Sequence, residues 1–273
     1  MTETSFEPTY FISLVGEDLI EMIIDKAPTK VKWRVIKAAD HIHKAHKIKD
    51  IDMEMFSIRL IAAEEELVVA IFEWLKLNTN KMPEHKDLVK MFKNHQVKLM
   101  FSPVLMLMKT VFIETLGPDL NFYGSPVEIK PRFENDAVEL CFSIPGKDFM
   151  MPLNPLTVFI NLEDDDEDVI ESLFDTLQNE VRENLGMSLK EFVVRRADFR
   201  NQLLYSSDGG FDNYLIDYDD LMSGFNATFE ALLWSIAALL TNNPLNPHLG
   251  VVTQFIAVYR RVLIEAKVLK LPN

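Results

Sequence analysis

Three histidines stand close together in the first third of the chain, at His41, His43 and His46. Imidazole nitrogens are frequent zinc ligands, so their spacing is the first indication of whether a metal is bound. Residues two apart on a helix point to nearly opposite sides, which prevents His41 and His43 from sharing an ion. His43 and His46 share a side, but the position four residues after His43 is Lys47 and not a carboxylate. We predict a solvated basic helix face here, with neither a metal site nor a cofactor.

The segment Ala45-His46-Lys47-Ile48-Lys49 allows a different chemistry, phosphoryl transfer. It resembles the phosphoacceptor stretch of histidine phosphotransfer domains, in which a lysine follows the histidine by three positions. That motif continues with a glycine, whose place is taken here by Asp50.

A second cationic cluster, Arg195, Arg196 and Arg200, leads into Arg200-Asn201-Gln202-Leu203-Leu204-Tyr205. This segment resembles the signature of the HEPN superfamily, an arginine and a polar residue followed four to six positions later by a histidine. Arg200 and Asn201 match the first two positions, and Tyr205 stands in place of the histidine.

A partial match to the same superfamily lies on an early predicted helix. The stretch Ala63-Glu64-Glu65 resembles an Ala-Glu-Glu stretch that recurs in HEPN relatives, including the abortive-infection type. In those relatives a lysine often follows, which this chain lacks. On this resemblance Glu64, Glu65, Arg196 and Arg200 are candidate binding residues.

The resemblance implies a helical bundle, often dimeric, in which the arginine motifs of two subunits face each other. Active members cut RNA at the 2′-OH without a metal, using the arginine as a fixed cation and the histidine to move a proton. Tyr205 has a reference pKa near 10, so it is a poor base at neutral pH. We therefore expect binding without cleavage. In a purely structural alternative, Arg200 pairs with a carboxylate or caps helix carbonyls, and Tyr205 packs.

The composition of the 273-residue chain limits the other classes of function. A net charge of −14 would repel nucleic acid overall, so any RNA contact needs a local basic site, and His41 to Lys49 carries three histidines and three lysines. The single cysteine, Cys141, excludes an internal disulfide framework and suits a reducing compartment. The N-terminus has no signal-peptide pattern, and no apolar run approaches about 20 residues. We expect a cytoplasmic protein without a membrane partner.

Hydrophobic periodicity predicts the elements that position these residues. Apolar residues step by four and three through Val31–Ala45 and Phe56–Leu77, and Ser102-Pro103 predicts a helix start before a run to about Leu116. Val127–Phe133 and Ala137–Ile144 read as a β-hairpin, with a third strand at Leu156–Leu162. Further helices are predicted from Glu163, from a Ser188/Glu191 capping box, from Leu221 and from Val251.

We therefore predict a mainly α fold, a helical bundle with a small β-hairpin insertion. Its predicted segments are an N-terminal helical half (1–117), the β insertion (118–162) and a C-terminal helical half (163–273), within one composite domain. The expected function is that of a HEPN-like protein of defence or stress type that binds RNA, a nucleotide or a protein partner. The resemblance also implies a homo-oligomer. The alternative is a helical interaction or scaffold protein with no nucleic-acid role.

Overall fold

The computed structural model describes residues 9–78, 86–91, 93–116, 121–122, 125–126, 128–134, 137–144, 146, 150–152, 166–195, 217–241 and 247–269. These residues confirm the predicted fold class, a mainly α bundle with a small β insertion. The helices before the insertion are α1 (Thr9–Val15), α2 (Glu17–Lys26), α3 (Thr29–His46), α4 (Met53–Leu77), α5 (Lys86–Lys90) and α6 (His95–Leu116). Those after it are α7 (Asp166–Leu185), α8 (residues 189–195), α9 (Tyr218–Leu240) and α10 (Pro247–Glu265).

The chain divides into two compact units. The first is Met1–Pro103 with Val193–Ile236, and the second is Val104–Phe192 with Ala237–Asn273. The predicted division into three segments follows the order of the sequence instead, and it stays a prediction.

In the first unit, α3 and α4 pack against each other as an antiparallel pair joined by a short connection. The apolar steps of four and three explain this packing, because they place Val31, Val35 and Ile42 of α3 and Leu60 and Leu67 of α4 in the core, each fully buried. Both predicted helices are confirmed. The last position of the α4 series departs from the pattern, since Leu77 is 55% exposed in the final turn.

The N-terminus of α4 is fixed by a side-chain cap. The backbone N–H of Met55 donates to the Asp52 carboxylate at 2.9 Å, which satisfies one of the amides that a helix start leaves without a partner. The cap therefore sets the point at which the chain turns from α3 into α4.

The predicted helix start at Ser102-Pro103 is wrong. Helix α6 begins at His95, and Pro103 lies inside it. Asn94 provides the start instead, because its side-chain oxygen accepts from the backbone N–H of Gln96 at 2.9 Å. A Ser-Pro pair matches the start pattern, but tertiary packing carries the helix through it.

The β insertion consists of β1 (Asn121–Phe122), β2 (Ser125–Pro126), β3 (Glu128–Glu134), β4 (Ala137–Ser143) and β5 (Met150–Pro152). The predicted hairpin is confirmed as β3 and β4, which pair antiparallel from Glu128↔Ser143 to Glu134↔Ala137. The third strand of this sheet is β5, paired with β4. The strand predicted at Leu156–Leu162 lies outside the described residues.

Helix α7 packs against α10 in the second unit. The Arg261 guanidinium lies over the Phe174 ring at 4.2 Å and donates from Nε to Glu171 at 2.6 Å. Helix α7 ends at Leu185, just before Gly186, whose φ of 64° is a conformation that glycine adopts without strain.

The predicted capping box is also confirmed. The backbone N–H of Ser188 donates to the Glu191 carboxylate at 2.9 Å, and the Glu191 N–H donates back to the Ser188 hydroxyl at 3.2 Å.

One described helix, α9, is long and apolar enough to cross a membrane by length and composition. Core helices of folded proteins share that property, and Phe229, Leu232 and Leu233 of α9 are fully buried.

Replacing Asp52 with alanine should lower the free energy of unfolding by about 1 kcal/mol, because the first turn of α4 loses its cap. Urea denaturation followed by far-ultraviolet circular dichroism measures the change. Asp50→Ala is the matched control, since this exposed carboxylate lies in the same turn and does not cap the helix. An equal loss in both variants would contradict the role of the cap.

Candidate functional site

Helix α3 carries a stripe of four cationic side chains and one histidine beside its buried face. Lys30, Arg34, Lys37, His41 and Lys44 follow one another in steps of four and three, so they share one side of the helix. The three lysines are exposed, while Arg34 and His41 are half-buried. We call these five residues the basic stripe. It concentrates positive charge on one helix of a chain whose net charge is −14.

One carboxylate partly neutralises the basic stripe. Lys37 and Lys44 each donate to the same oxygen of Asp40 at 2.8 Å. Burial acts to raise the pKa of Asp40, but the hydrogen bonds from the two lysines outweigh it and hold the pKa at about 2. Asp40 therefore stays ionised at neutral pH and keeps both ammonium groups on the surface of α3.

A groove of about 750 Å³ lies along α3 and α4. Its volume falls in the range of small-molecule sites. Helix α3 contributes Lys30, Trp33, Arg34 and Lys37 to its walls, and α4 contributes Glu66 and Glu73. Arg34 donates to Glu66 at 2.8 Å, which holds the two helices together across the groove.

Two residues of the groove are unusual for their positions. Trp33 is 61% exposed, although tryptophan is normally largely buried. Glu73 is only 7% exposed, and its Oε2 atom has no hydrogen-bond partner within the described part of the chain. A buried carboxylate oxygen without a donor is costly, so it identifies a position where a donor from outside would be stabilising.

The sequence carried signals for both residues that periodicity alone did not use. Trp33 lies off the Val31, Val35, Ala38 core series, so a large aromatic ring is placed away from the buried face. Glu73 is the one charged residue in Leu67–Leu75. An interruption of an apolar run by a carboxylate, next to a helix with an off-core tryptophan, is a pattern that could have pointed to this groove.

The predicted binding residues Glu64 and Glu65 lie on α4. Glu65 is buried, with 9% of its surface exposed, and its carboxylate accepts from the Lys98 ammonium and lies 3.1 Å from Nδ1 of His95. Glu64 is half-buried. The internal ion pair gives Glu65 a role in the packing of α4 against α6, and its role in ligand binding stays a prediction.

The remaining predicted site residues, Arg196, Arg200, Asn201 and Tyr205, lie outside the described residues. The degenerate HEPN motif and its proposed cleft therefore stay predictions, and the geometry of the site rests on α3 and α4.

His41 and His46 are half-buried and His43 is exposed, so the predicted solvated face is confirmed only at His43. His46 lies between the rings of Tyr10 and Phe56, with centroids 5.4 and 5.9 Å away. Burial lowers the pKa of His46, helped by the nearby charge of Lys49, and burial also lowers the pKa of His41. The Nε2 atom of His46 is buried without a hydrogen-bond partner among the described residues, so phosphoryl transfer to this atom would require the packing to open.

No group of three or more His, Cys, Asp or Glu side chains gathers into a metal-binding arrangement within the described ranges. No family model, curated protein or solved structure matches this chain. The groove and the basic stripe are therefore the features of the described residues that bear on function.

Replacing Glu65 with alanine should lower the free energy of unfolding by about 3 kcal/mol, because the largely enclosed Lys98 ammonium, whose side chain is 11% exposed, loses its counter-charge. Chemical denaturation measures this effect. Glu54→Ala, an exposed carboxylate on the same helix, should change stability by less than about 0.5 kcal/mol. A Glu65→Ala protein as stable as the wild type would show that the ion pair contributes nothing.

The free energy of unfolding should fall as the pH is lowered from about 7 towards 5. His41 and His46 have lowered pKa values in the folded chain, so the unfolded chain takes up their protons first and is favoured by acid. His46→Phe should reduce this loss, since phenylalanine fits between Tyr10 and Phe56 and does not titrate. Denaturation curves at several pH values test this, with exposed His43→Gln as the control. An unchanged pH profile for His46→Phe would refute the assignment.

Proposed function

We propose that this chain is a HEPN-like helical protein of defence or stress type that binds RNA or nucleotide without cutting it. The observation that carries the proposal is the basic stripe on α3 with exposed Trp33 beside it. Proteins that bind single-stranded nucleic acid combine cations that follow the backbone with aromatic rings on which bases stack. The stripe and Trp33 supply both components on one helix.

The net charge of −14 repels nucleic acid overall, so the proposal depends on the local charge of the basic stripe. A contact with phosphate depends on the electrostatic field close to the site. The lysines of the basic stripe are exposed at the surface of α3, even where they form ion pairs. Lys30 lies at one end of the stripe and forms no ion pair with a described residue, so its charge is available to a phosphate.

The family resemblance supports the proposal from a different part of the chain. In HEPN proteins the arginine of the motif contacts the RNA, and Arg200 with Asn201 matches the start of that motif. Tyr205 replaces the histidine that moves the proton, which supports binding without cleavage. The resemblance also favours a homodimer in which two such motifs meet.

Binding of a fluorescently labelled single-stranded RNA should weaken about tenfold in Lys30→Gln/Lys44→Gln, because two phosphate contacts are lost. Fluorescence anisotropy measured between 50 and 200 mM salt should also show a smaller salt slope, by about 0.7 for each contact removed. Lys86→Gln/Lys90→Gln is the matched control, since it removes two exposed lysines from α5 and leaves the stripe intact.

The same assay separates the parts of the proposal. Arg200→Ala should also weaken binding if the HEPN resemblance is functional, and the RNA should remain intact on a gel after long incubation. Cleavage of the RNA by the wild type would overturn the non-catalytic assignment. A wild type that does not bind RNA even at 50 mM salt would favour the alternative of a helical interaction or scaffold protein.

A further inference from the structure

Four of the charged side chains of the groove form two ion pairs, and three other side chains of the groove have no such partner. Arg34 pairs with Glu66, and Lys37 pairs with Asp40, both at 2.8 Å. Lys30, Trp33 and Glu73 remain, and none of them makes a hydrogen bond or ion pair with another described residue. A ligand that fits this groove must therefore offer a flat ring, hydrogen-bond donors and an anionic group.

The donors must suit a carboxylate. An ionised carboxylate only accepts hydrogen bonds, and its two oxygens can accept from two neighbouring N–H groups at once. Among the four RNA bases, guanine alone presents two adjacent donors, N1–H and the 2-amino group, on its Watson–Crick edge. Adenine and cytosine place an acceptor next to their amino group, and uracil places carbonyl oxygens on both sides of its single donor.

The other two groups of the groove suit the base ring and the phosphate of a nucleotide. Trp33 exposes its indole to the groove, and every base stacks on an aromatic surface with little dependence on sequence. Lys30 stands one helical turn before Trp33 on α3, which places an ammonium group beside a stacked base for its phosphate.

We infer that the groove between α3 and α4 binds a guanine nucleotide, with the base stacked on Trp33, its N1–H and 2-amino group donating to Glu73, and its phosphate at Lys30. This inference rests on the proposed nucleotide-binding function and adds the identity of the base. Stacking supplies affinity for any base, and Glu73 supplies the preference for guanine.

Isothermal titration calorimetry of the full chain with GMP, AMP, CMP and UMP tests the preference. GMP should bind at least about tenfold more tightly than the other three, because a bidentate contact discriminates between bases by that order. Inosine monophosphate, which lacks the 2-amino group, should bind about tenfold more weakly than GMP. This comparison uses the wild type alone, so it does not depend on whether a variant folds.

Variants assign the preference to the groove. Glu73→Gln should remove most of the discrimination between GMP and AMP, because an amide offers one acceptor and a donor group. Glu54→Gln, an exposed carboxylate on the same helix, should leave it unchanged. Trp33→Ala should weaken all four nucleotides by similar factors.

Two outcomes would overturn the inference and separate it from the proposed function. Equal binding of GMP, inosine monophosphate and AMP would refute guanine recognition, and a guanine preference retained in Glu73→Gln would refute its assignment to Glu73. Either result can occur even if RNA binding still depends on the basic stripe. A chain that binds neither mononucleotides nor RNA would refute both.

Discussion

The packing of α3 against α4 determines the geometry of the candidate site, because each wall of the groove comes from a different one of these two helices. The core faces of both helices are continuous apolar stripes, and burial of such stripes is the main stabilising contribution to a helix pair. The Asp52 cap fixes where α4 begins, and the Arg34–Glu66 pair fixes the two helices against each other beyond the core. The side chains beside these apolar faces, including those of the groove, are therefore positioned by helices and not by loops.

Three carboxylates of α4 differ in function because their surroundings differ. Glu66 faces Arg34 and closes the side of the groove, and Glu65 points to α6, where the Lys98 ammonium compensates its burial. Glu73 is as buried as Glu65, but its Oε2 atom has no donor among the described residues. Two neighbouring acidic residues, Glu65 and Glu66, thus contribute to packing, and Glu73, two turns further along, is the one with a buried oxygen that lacks a donor among the described residues.

Periodicity predicted the fold class and most helix positions because burial of an apolar face dominates helix formation. The capping box of Ser188 and Glu191 was also predicted correctly, because it depends only on residues close in sequence. The same capping rules misplaced the start of α6. Ser102-Pro103 satisfies the rules for a helix start, but the helix begins at His95 and continues through Pro103. The groove was not predicted, because it depends on residues from two helices, Trp33 and Glu73, that are 40 positions apart in the sequence.

The motif-based and the structure-based interpretations of function rest on different physical grounds. The Arg200 motif relies on likeness to a family whose proton-moving histidine is replaced here, so it supports contact with phosphate and weakens the case for cleavage. The groove relies on an exposed aromatic ring and a buried carboxylate oxygen, and the oxygen without a donor lowers the stability of a chain that does nothing with it. Folded proteins keep such locally unfavourable features mainly where function uses them. A buried oxygen without a donor and an exposed aromatic ring line the same groove beside an unpaired lysine, and together they are a stronger argument for a ligand site than either feature alone.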